Sequence, residues 1–129
     1  MTGQRSNALV EKVGPFYDLD GLATWLNLTH HQIQARREKQ MILACSTADG
    51  EFIYPAWQFR GDGEILPGLS SVLRVLATGI NDGWTWALWL QTAIPEELGG
   101  KTVTDWLRNE GDVEPVLQLA AIDAAAWSS

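Results

Sequence analysis

The sequence has few cysteines and no long apolar run. A single cysteine, Cys45, permits no internal disulfide and no cysteine-rich zinc site. No apolar run approaches the ~18 residues of a membrane span, and residues 1–14 have no apolar stretch of the kind found in secretory signals. These absences predict a cytoplasmic protein that does not bind a membrane.

Positive charge is also scarce. The 129 residues include nine Lys and Arg against 16 Asp and Glu, and the formal net charge of −7 argues against a protein whose whole surface binds nucleic acid. Residues 1–60 contain six cations and six acids, whereas residues 61–129 contain three cations and ten acids. A neutral half joined to an acidic half indicates two kinds of partner.

The overall composition of the sequence is ordinary, but its tryptophan content is unusual. Hydrophobic residues make up 46% of the chain and charged residues 19%, values typical of a globular protein. The length fits one domain, or two small domains that share a core. The seven tryptophans are unusual. Because large aromatic side chains mostly supply core area, we expect most of them in the core, with an aromatic binding surface as the alternative.

Residues 18–39 have the layout of a helix-turn-helix unit. Asp18 and Thr29 are placed to cap two successive helices. Between them, the small Ala23 allows the helices to cross closely, and Asn27 can adopt the left-handed conformation that the turn requires. Ile33 follows at the spacing of an inward-facing residue of the second helix. The sequence therefore predicts two short helices packed against each other.

The second predicted helix, from Thr29 to Lys39, has a polar surface suited to DNA. Hydrogen-bonding and cationic side chains contact base edges and phosphates when a helix lies in the major groove. The candidate DNA-binding residues are His30, His31, Gln32, Gln34, Arg36, Arg37 and Lys39. The alternative is a solvated helix face with no ligand, and Glu38 reduces the positive charge of the helix.

A β-hairpin is predicted directly after this helix. Strand-like runs at Met41–Cys45 and Phe52–Tyr54 flank Asp49-Gly50, a pair favoured in tight hairpin turns. A hairpin in this position would form the wing of a winged helix-turn-helix. Trp57 and Phe59 are expected to hold the wing against the helices.

Residues 60–64 predict a linker because they combine two glycines with three charged residues and no apolar one. The chain is thereby divided into residues 1–60, a helix-turn-helix with a wing, and residues 61–129, a helical unit. Pro67 is placed for a first helical turn, and apolar residues at helical spacing from Leu66 to Leu76 predict an amphipathic helix. This helix either packs on the helix around Trp84 or forms the seam of a homodimer.

Three short helices separated by helix breakers are predicted from Trp84 to Ala121. The first is apolar on nearly all sides, as expected of a helix wrapped by its neighbours. Gly99-Gly100 supply a turn, and Thr102 can cap the second helix. Gly111 is expected to end that helix, and Asp112 to cap the third.

The C-terminal pattern resembles the toxin-binding domain of antitoxins of the Xre/MbcA/ParS type. The residues that carry the likeness are Trp89-Leu90, Pro95, Leu98-Gly99-Gly100-Lys101-Thr102, Asp105-Trp106-Leu107-Arg108 and the closing helix from Gly111 to Leu119. In this chain Val103 stands where the family usually has a proline. Such antitoxins commonly place a DNA-binding unit before the toxin-binding one, so the likeness covers roughly residues 17–121.

The resemblance implies an antitoxin of a type II toxin–antitoxin system, which neutralises a RES-type, NAD-depleting toxin by direct binding and represses its own operon through operator DNA. The candidate toxin-binding residues are Glu96, Glu97, Lys101, Arg108 and Trp127. Trp127 can instead fold back into the core. The acidic surface suits a toxin pocket that holds a dinucleotide pyrophosphate, because such a pocket should be positively charged.

The sequence does not predict an enzyme. His30 and His31 are adjacent, so on a helix they diverge by about 100° and do not readily chelate one metal ion. Cys45 is expected to be a small core hydrophobe. Gly99-Gly100-Lys101-Thr102 lacks the upstream glycine of a phosphate-binding loop.

The sequence as a whole predicts a mainly α-helical protein with a small β-hairpin, in which a winged helix-turn-helix precedes a small helical toxin-binding domain. The expected partners are the cognate RES-type toxin, operator DNA and a second copy of the chain, and no cofactor or metal is expected. The alternative function is a stand-alone helix-turn-helix transcriptional regulator whose C-terminal half only dimerises.

Overall fold

The protein is mainly helical, with small antiparallel sheets, as predicted. The structure, a computed structural model, describes residues 10–128. Its helices are α1 (Leu19–Leu26), α2 (His30–Glu38), α3 (Leu69–Ala77), α4 (Gly83–Leu90), α5 (Val103–Arg108) and α6 (Val113–Ser128), and residues 10–13 are also helical. Its strands are β1 (Phe16–Tyr17), β2 (Cys45–Ser46), β3 (Phe52–Pro55), β4 (Ala93–Ile94) and β5 (Lys101–Thr102). This order is compatible with a winged helix-turn-helix fold followed by further helices.

The helix-turn-helix forms as its sequence predicts. Asp18 caps α1 by accepting a hydrogen bond from the Gly21 amide at 2.7 Å. Asn27 follows α1 in the left-handed conformation, with φ 57°, so the chain reverses without a glycine. The amide of Leu28 then donates to the Ala23 carbonyl at 3.0 Å and closes the turn. The predicted cap and the predicted turn are both confirmed.

The wing belongs to a three-stranded antiparallel sheet with the order β1–β3–β2. Phe16 pairs with Pro55 in a strand that the sequence analysis did not predict. The predicted strand Met41–Cys45 is mostly wrong, because the ladder on that side contains only Cys45 and Ser46. Upstream of Cys45, the side chain of Gln58 takes the place of a partner strand by hydrogen-bonding to the backbone of Leu43.

Residues 60–64 form a closed turn, so the expected linker is wrong in conformation. The Arg60 amide donates to the Glu64 carbonyl at 2.7 Å, and Phe59 and Ile65 form an antiparallel bridge on either side of the turn. The wing and the C-terminal helices are therefore joined by a compact turn. The division of the chain at residue 60 stays a prediction.

Helix α3 buries its apolar face inside the chain. The face consists of Leu69, Val72, Leu73 and Leu76, which are at most 1% exposed, and Leu66 just before the helix is equally buried. The helix begins at Leu69, after Gly68 with φ 81°, so Pro67 lies ahead of its first turn. Helix α6 packs along α3. The predicted dimer seam on this face is thus wrong, because the same chain already covers it.

The three helices predicted near the C-terminus are α4, α5 and α6. Asp82 caps α4 through the Trp84 amide, and Thr102 caps α5 by accepting from the Asp105 amide at 3.1 Å. The turn between β4 and β5 uses the positive φ angles of Gly99 and Gly100, 63° and 87°. Beyond α5 the left-handed residue is Glu110, with φ 61°, one position before the expected Gly111.

Two groups of buried side chains hold the fold. The smaller group fills the helix-turn-helix and consists of Leu22, Ala23, Ile33, Ile42, Ala44, Tyr54 and Phe59. The larger group lies among α3 to α6, and Trp86 belongs to it, with Trp57, Trp84, Trp89, Trp106 and Trp127 packed against it. Most of the tryptophans thus pack in or on the core, as predicted. Trp57 contacts the larger group, whereas it was expected to hold the wing on the helix-turn-helix.

The larger group reaches across the predicted domain division. Val13, Leu43 and Cys45 belong to it, although they precede residue 60. At Gly83, an added Cβ atom would lie 1.9 Å from the Ala44 carbonyl oxygen, so only glycine permits this approach. The start of α4 is therefore packed directly on the backbone of the N-terminal half.

Candidate nucleic-acid interface

Helix α2 has a mostly polar sequence, and its position is fixed by a cap and one buried residue. The Thr29 hydroxyl oxygen accepts from the Gln32 amide at 3.1 Å, while the Gln32 Oε1 atom accepts from the Thr29 amide at 2.8 Å. This reciprocal pair is a capping box. Ile33, which is fully buried, anchors the inner face against the small core group. Most of the other α2 side chains face solvent, and Ala35 and Arg37 are partly buried.

Most side chains predicted to bind DNA are exposed to solvent. His30, His31, Gln32, Gln34, Arg36 and Lys39 are exposed, and Arg37 is half-buried. Neighbouring residues of a helix are separated by about 100°, so Arg36 and Arg37 leave α2 in different directions. Helix α2 therefore has the predicted polar surface, but Arg36 and Arg37 differ in direction and in exposure.

An acid lies beside the N-terminal end of α2. His30 Nε2 is 2.7 Å from Asp20 Oδ1, and both side chains are more than half exposed. Gln32 is also partly engaged, because its Oε1 atom closes the capping box. The side chains of Arg36 near the end of α2 and Lys39 just after it have no hydrogen-bond or ion-pair partner within residues 10–128.

Arg37 joins α2 to the wing. Its guanidinium carbon lies 4.0 Å from the centre of the Phe52 ring in β3, a cation–π contact. Its Nε atom is buried and has no hydrogen-bond partner within residues 10–128. Burial raises the pKa of Tyr54, and the nearby positive charge of Arg37 opposes that rise. These contacts indicate that Arg37 fixes the angle between α2 and the wing and is a weaker candidate for a phosphate contact than Arg36.

A cleft of about 430 Å³ lies where α2, the wing and the start of α4 meet. Its wall includes Arg37 and Glu38 from the end of α2, Phe52 from the wing, and Asp82 and Trp86 from α4 and its cap. The wall combines charged and aromatic side chains. Helix α2 and the C-terminal half therefore border the same cleft.

The five residues predicted to bind a toxin are spread over the C-terminal half. Glu96, Glu97 and Lys101 are exposed in and beside the β4–β5 turn. Arg108 donates a hydrogen bond to the Trp57 carbonyl oxygen, so it also connects α5 to the wing region. Trp127 is half-buried against the larger core group, which favours the core alternative. Within residues 10–128, no hydrogen bond or ion pair joins any of these five side chains to another.

Trp127 and the three alanines before it lie in the last part of α6. Ala124 is buried, and an added Cβ atom at Gly79 would lie 2.3 Å from its carbonyl oxygen. Trp89 donates to Asp123 at 2.6 Å and holds the same turn of α6 from another side. Ala124 and Trp127 thus pack on the core, whereas Ala125 and Ala126 are exposed, and a binding role for this segment stays a prediction.

Gln58 is a structural residue that the sequence analysis missed. It is fully buried, and its Oε1 atom accepts from the Leu43 amide at 2.7 Å. Its Nε2 atom donates to the Leu43 carbonyl at 2.8 Å and to the Pro55 carbonyl at 3.0 Å. One side chain thus satisfies both backbone groups of Leu43, as a neighbouring strand would. This explains why the predicted strand over residues 41–44 is absent.

A partly exposed aromatic stack on α1 was also missed. Tyr17 and Trp25 stack with ring centroids 5.2 Å apart, and Phe59 meets Trp25 edge-on at 5.6 Å. Trp25 remains 38% exposed. Sequence periodicity alone could not find this stack, because its three rings come from β1, from α1 and from the residue after a 3₁₀ helix at Ala56–Gln58.

Cys45 lies in the core, and the possible metal ligands of residues 10–128 are dispersed. Cys45, a small core hydrophobe as predicted, is fully buried, and burial followed by the charge of Asp82 raises the pKa of its thiol to about 12. A thiol of this kind stays protonated and unreactive at neutral pH. Across residues 10–128, no group of three or more His, Cys, Asp or Glu is arranged to hold a metal ion. Nor does that part of the chain contain a helix long and apolar enough to cross a membrane.

Comparison with known proteins supports the fold and leaves the family open. No family model matches the chain, and no curated protein matches it. A solved structure that it resembles is the NMR structure of Rv2175c, with a TM-score of 0.70 and 21% sequence identity. The likeness covers 85% of this chain and 81% of that one, so it includes residues from both halves. The arrangement of the helix-turn-helix and the C-terminal helices is therefore shared with a solved protein.

Proposed function

We propose that the protein is a DNA-binding regulator that places α2 in the major groove of duplex DNA. The observation that carries this proposal is the exposed polar face of α2, held by a capping box and by the buried Ile33 beside a β-hairpin. A helix fixed in this way presents its side chains to base edges at little conformational cost. A solvated surface helix would not need a wing attached to it through Arg37 and Phe52.

The side chains of α2 have different roles in this proposal. Arg36 and Lys39 contact phosphates, while Gln34 and His31 are directed towards base edges. Within residues 10–128, Arg36 and Lys39 are the two cations at this end of α2 whose side chains have no hydrogen-bond or ion-pair partner. With so few cations one copy gives weak binding, and affinity at an operator depends on a second copy of the chain. The second copy has to use a surface other than the buried face of α3.

Titration of a labelled 20-base-pair duplex with the full chain tests the proposal. The double substitution Arg36→Ala with Lys39→Ala is compared with Arg74→Ala and Lys101→Ala, which removes the same charge from exposed positions in the C-terminal half. We expect the α2 variant to bind at least about tenfold more weakly at low salt and to lose about two from the slope of log K against log salt. The matched control should change both quantities little.

Two outcomes contradict the DNA-binding proposal. One is the absence of binding by the unmodified chain at low salt. The other is an equal loss in the two double variants, which would show that net charge and not α2 determines binding. Gln34→Ala sharpens the test further, since it should weaken discrimination at particular base pairs by about 1–3 kcal/mol.

A second candidate function is neutralisation of a protein toxin by the C-terminal half, with repression of the antitoxin's own operon. The supporting observation is local, since the turn at Gly99-Gly100 and the cap at Thr102 occur where the antitoxin-like pattern requires them. The exposed acids Glu96 and Glu97 beside that turn offer a surface to a basic toxin pocket. A stand-alone regulator without a toxin is the competing function.

Co-expression with the product of the neighbouring reading frame tests this second candidate. Glu96→Lys with Glu97→Lys should abolish protection of growth and of cellular NAD, whereas Asp49→Lys with Glu51→Lys applies the same charge change to the wing and should protect fully. Deletion of residues 124–129 is a poor test, because Ala124 and Trp127 pack on the core. Full protection by the Glu96 and Glu97 variant would contradict a neutralising role for this surface.

A further inference from the structure

The tip of the wing is acidic. The hairpin from Cys45 to Pro55 contains Asp49 and Glu51 and no lysine, arginine or histidine. Both acids are exposed in the loop between β2 and β3. Duplex DNA carries one negative charge about every 1.7 Å along its axis, so a loop of this charge is repelled from it.

The acids lie close to the proposed DNA-binding surface. Glu51 directly precedes Phe52, whose ring is in contact with Arg37 of α2. Since neighbouring Cα atoms are ~3.8 Å apart, Glu51 lies on the order of 10 Å from α2, about one Debye length at 0.1 M salt. DNA bound to α2 therefore lies within the electrostatic reach of the wing tip.

The loop is held in a defined shape by Thr47. The Thr47 amide donates to the Glu51 carbonyl at 2.8 Å, and the Thr47 hydroxyl oxygen accepts from the Glu51 amide at 3.1 Å. The same hydroxyl donates to Asp49 Oδ1. This hydrogen bond lowers the pKa of Asp49, so the carboxylate is charged throughout the neutral range. The loop thus presents fixed negative charge.

We propose that the wing tip is a repulsive element, in which Asp49 and Glu51 weaken binding to arbitrary duplex DNA and leave recognition to α2. This inference rests on the proposed DNA binding. Repulsion acts on every sequence, whereas base contacts by α2 are gained only at a cognate site. Because the repulsion lowers both affinities by about the same factor, the ratio of cognate to non-cognate affinity is set by the base contacts of α2. The pair of acids makes binding to arbitrary duplex DNA too weak to persist without those base contacts.

The test compares two charge-matched double variants of the full chain. Asp49→Asn with Glu51→Gln neutralises the wing tip, and Glu96→Gln with Glu97→Gln removes two exposed acids from the C-terminal half. Asn at position 49 still accepts from Thr47, and the remaining turn contacts use the backbone of residue 51, so the loop shape is retained. Far-ultraviolet circular dichroism and the dispersion of amide resonances check the fold of each variant.

The expected result is a gain in affinity for the wing variant alone. For a 20-base-pair duplex of arbitrary sequence, binding should tighten about three- to tenfold at ~50 mM salt, and the gain should fall below about twofold at ~300 mM salt. The Glu96 and Glu97 variant should change the affinity less than about twofold.

Equal affinities for the wing variant and the unmodified chain, or equal gains in both double variants, overturn the inference. In that case Arg36→Ala with Lys39→Ala still reports on α2, so the proposed function can survive the loss of the repulsive wing. If no protein in the series binds duplex DNA at low salt, the proposed function is wrong and the inference is overturned with it.

Discussion

The two halves of the protein hold themselves together by different means. The helix-turn-helix has a small core group and depends on caps, a left-handed Asn27 and one buried residue of α2. The C-terminal half has a larger core group with several tryptophans against it, and it directs most of the negative charge outwards. Helix α2 can remain polar because short-range hydrogen bonds, rather than a broad apolar face, fix its position.

The same comparison shows that the halves are not separate in their packing. Leu43 and Cys45 lie beside the wing yet belong to the larger core group. Arg108 donates from α5 to the Trp57 carbonyl, and Gly83 packs on Ala44. We therefore expect the two halves to unfold together.

The largest expected effect comes from a cavity in either core group. Leu22 and Leu73 are both fully buried, one in each group. Leu22→Ala and Leu73→Ala should each lower the free energy of unfolding by about 2–5 kcal/mol. Urea unfolding followed by circular dichroism and by tryptophan fluorescence should give coincident transitions for both variants.

The fluorescence reports mainly on the C-terminal half, where most tryptophans lie. If Leu22→Ala shifted the circular dichroism transition and left the fluorescence transition in place, the halves would be independent domains. That result would contradict the account of shared packing.

The next largest effect is expected at Gln58. Gln58→Ala leaves the amide and carbonyl of Leu43 without partners in a buried site. Unsatisfied buried groups cost about 1–3 kcal/mol each, so the two groups together should cost at least about 2 kcal/mol. Thermal unfolding of this variant is compared with that of Gln34→Ala, an exposed glutamine whose replacement should change stability by less than about 0.5 kcal/mol. A Gln58→Ala protein as stable as the control would show that Leu43 does not depend on this side chain.

Gln58 also marks the limit of prediction from the sequence. Asp18, Asn27, Thr29 and Thr102 could be predicted, because each acts on backbone groups a few residues away. The strand over residues 41–44 was mispredicted, because its apolar pattern does not reveal that a side chain 15 residues later replaces the partner strand. The pairing of β1 with β3 was missed for the same reason, since it joins distant segments.

Helical periodicity located the polar face of α2 and the apolar face of α3. It could not tell what covers the α3 face. The helix around Trp84 and a second copy of the chain were the two expectations, and α6 packs there. Nor could it distinguish Arg36 from Arg37, since the contact of Arg37 with Phe52 depends on where the wing lies. Contacts within one turn of chain were predictable, whereas contacts between elements were not.

The smallest effect at neutral pH concerns Cys45, which also tests the shared packing. The pKa of its thiol is about 12 in the folded protein, against 9.0 without burial. The protonated thiol is thus favoured by folding, and its contribution is complete below pH 9 and is lost as the pH rises towards 12. Stability should fall by about 1.4 kcal/mol per pH unit above pH 9 through this group alone. Cys45→Ala should remove that part of the slope, and an unchanged slope would indicate a solvent-accessible thiol.

Amide chemical shifts during titration with duplex DNA test the central claim most directly, because one experiment reports on both halves. The full chain, labelled with ¹⁵N, is titrated at low salt with a 20-base-pair duplex. The account predicts the largest shifts in α2, at Gln32, Gln34 and Arg36, smaller shifts at the wing tip from Asp49 to Glu51, and none at residues 95–100 between β4 and β5. Shifts confined to residues 93–128, or no shifts at a saturating concentration of DNA, would contradict the assignment of DNA binding to α2.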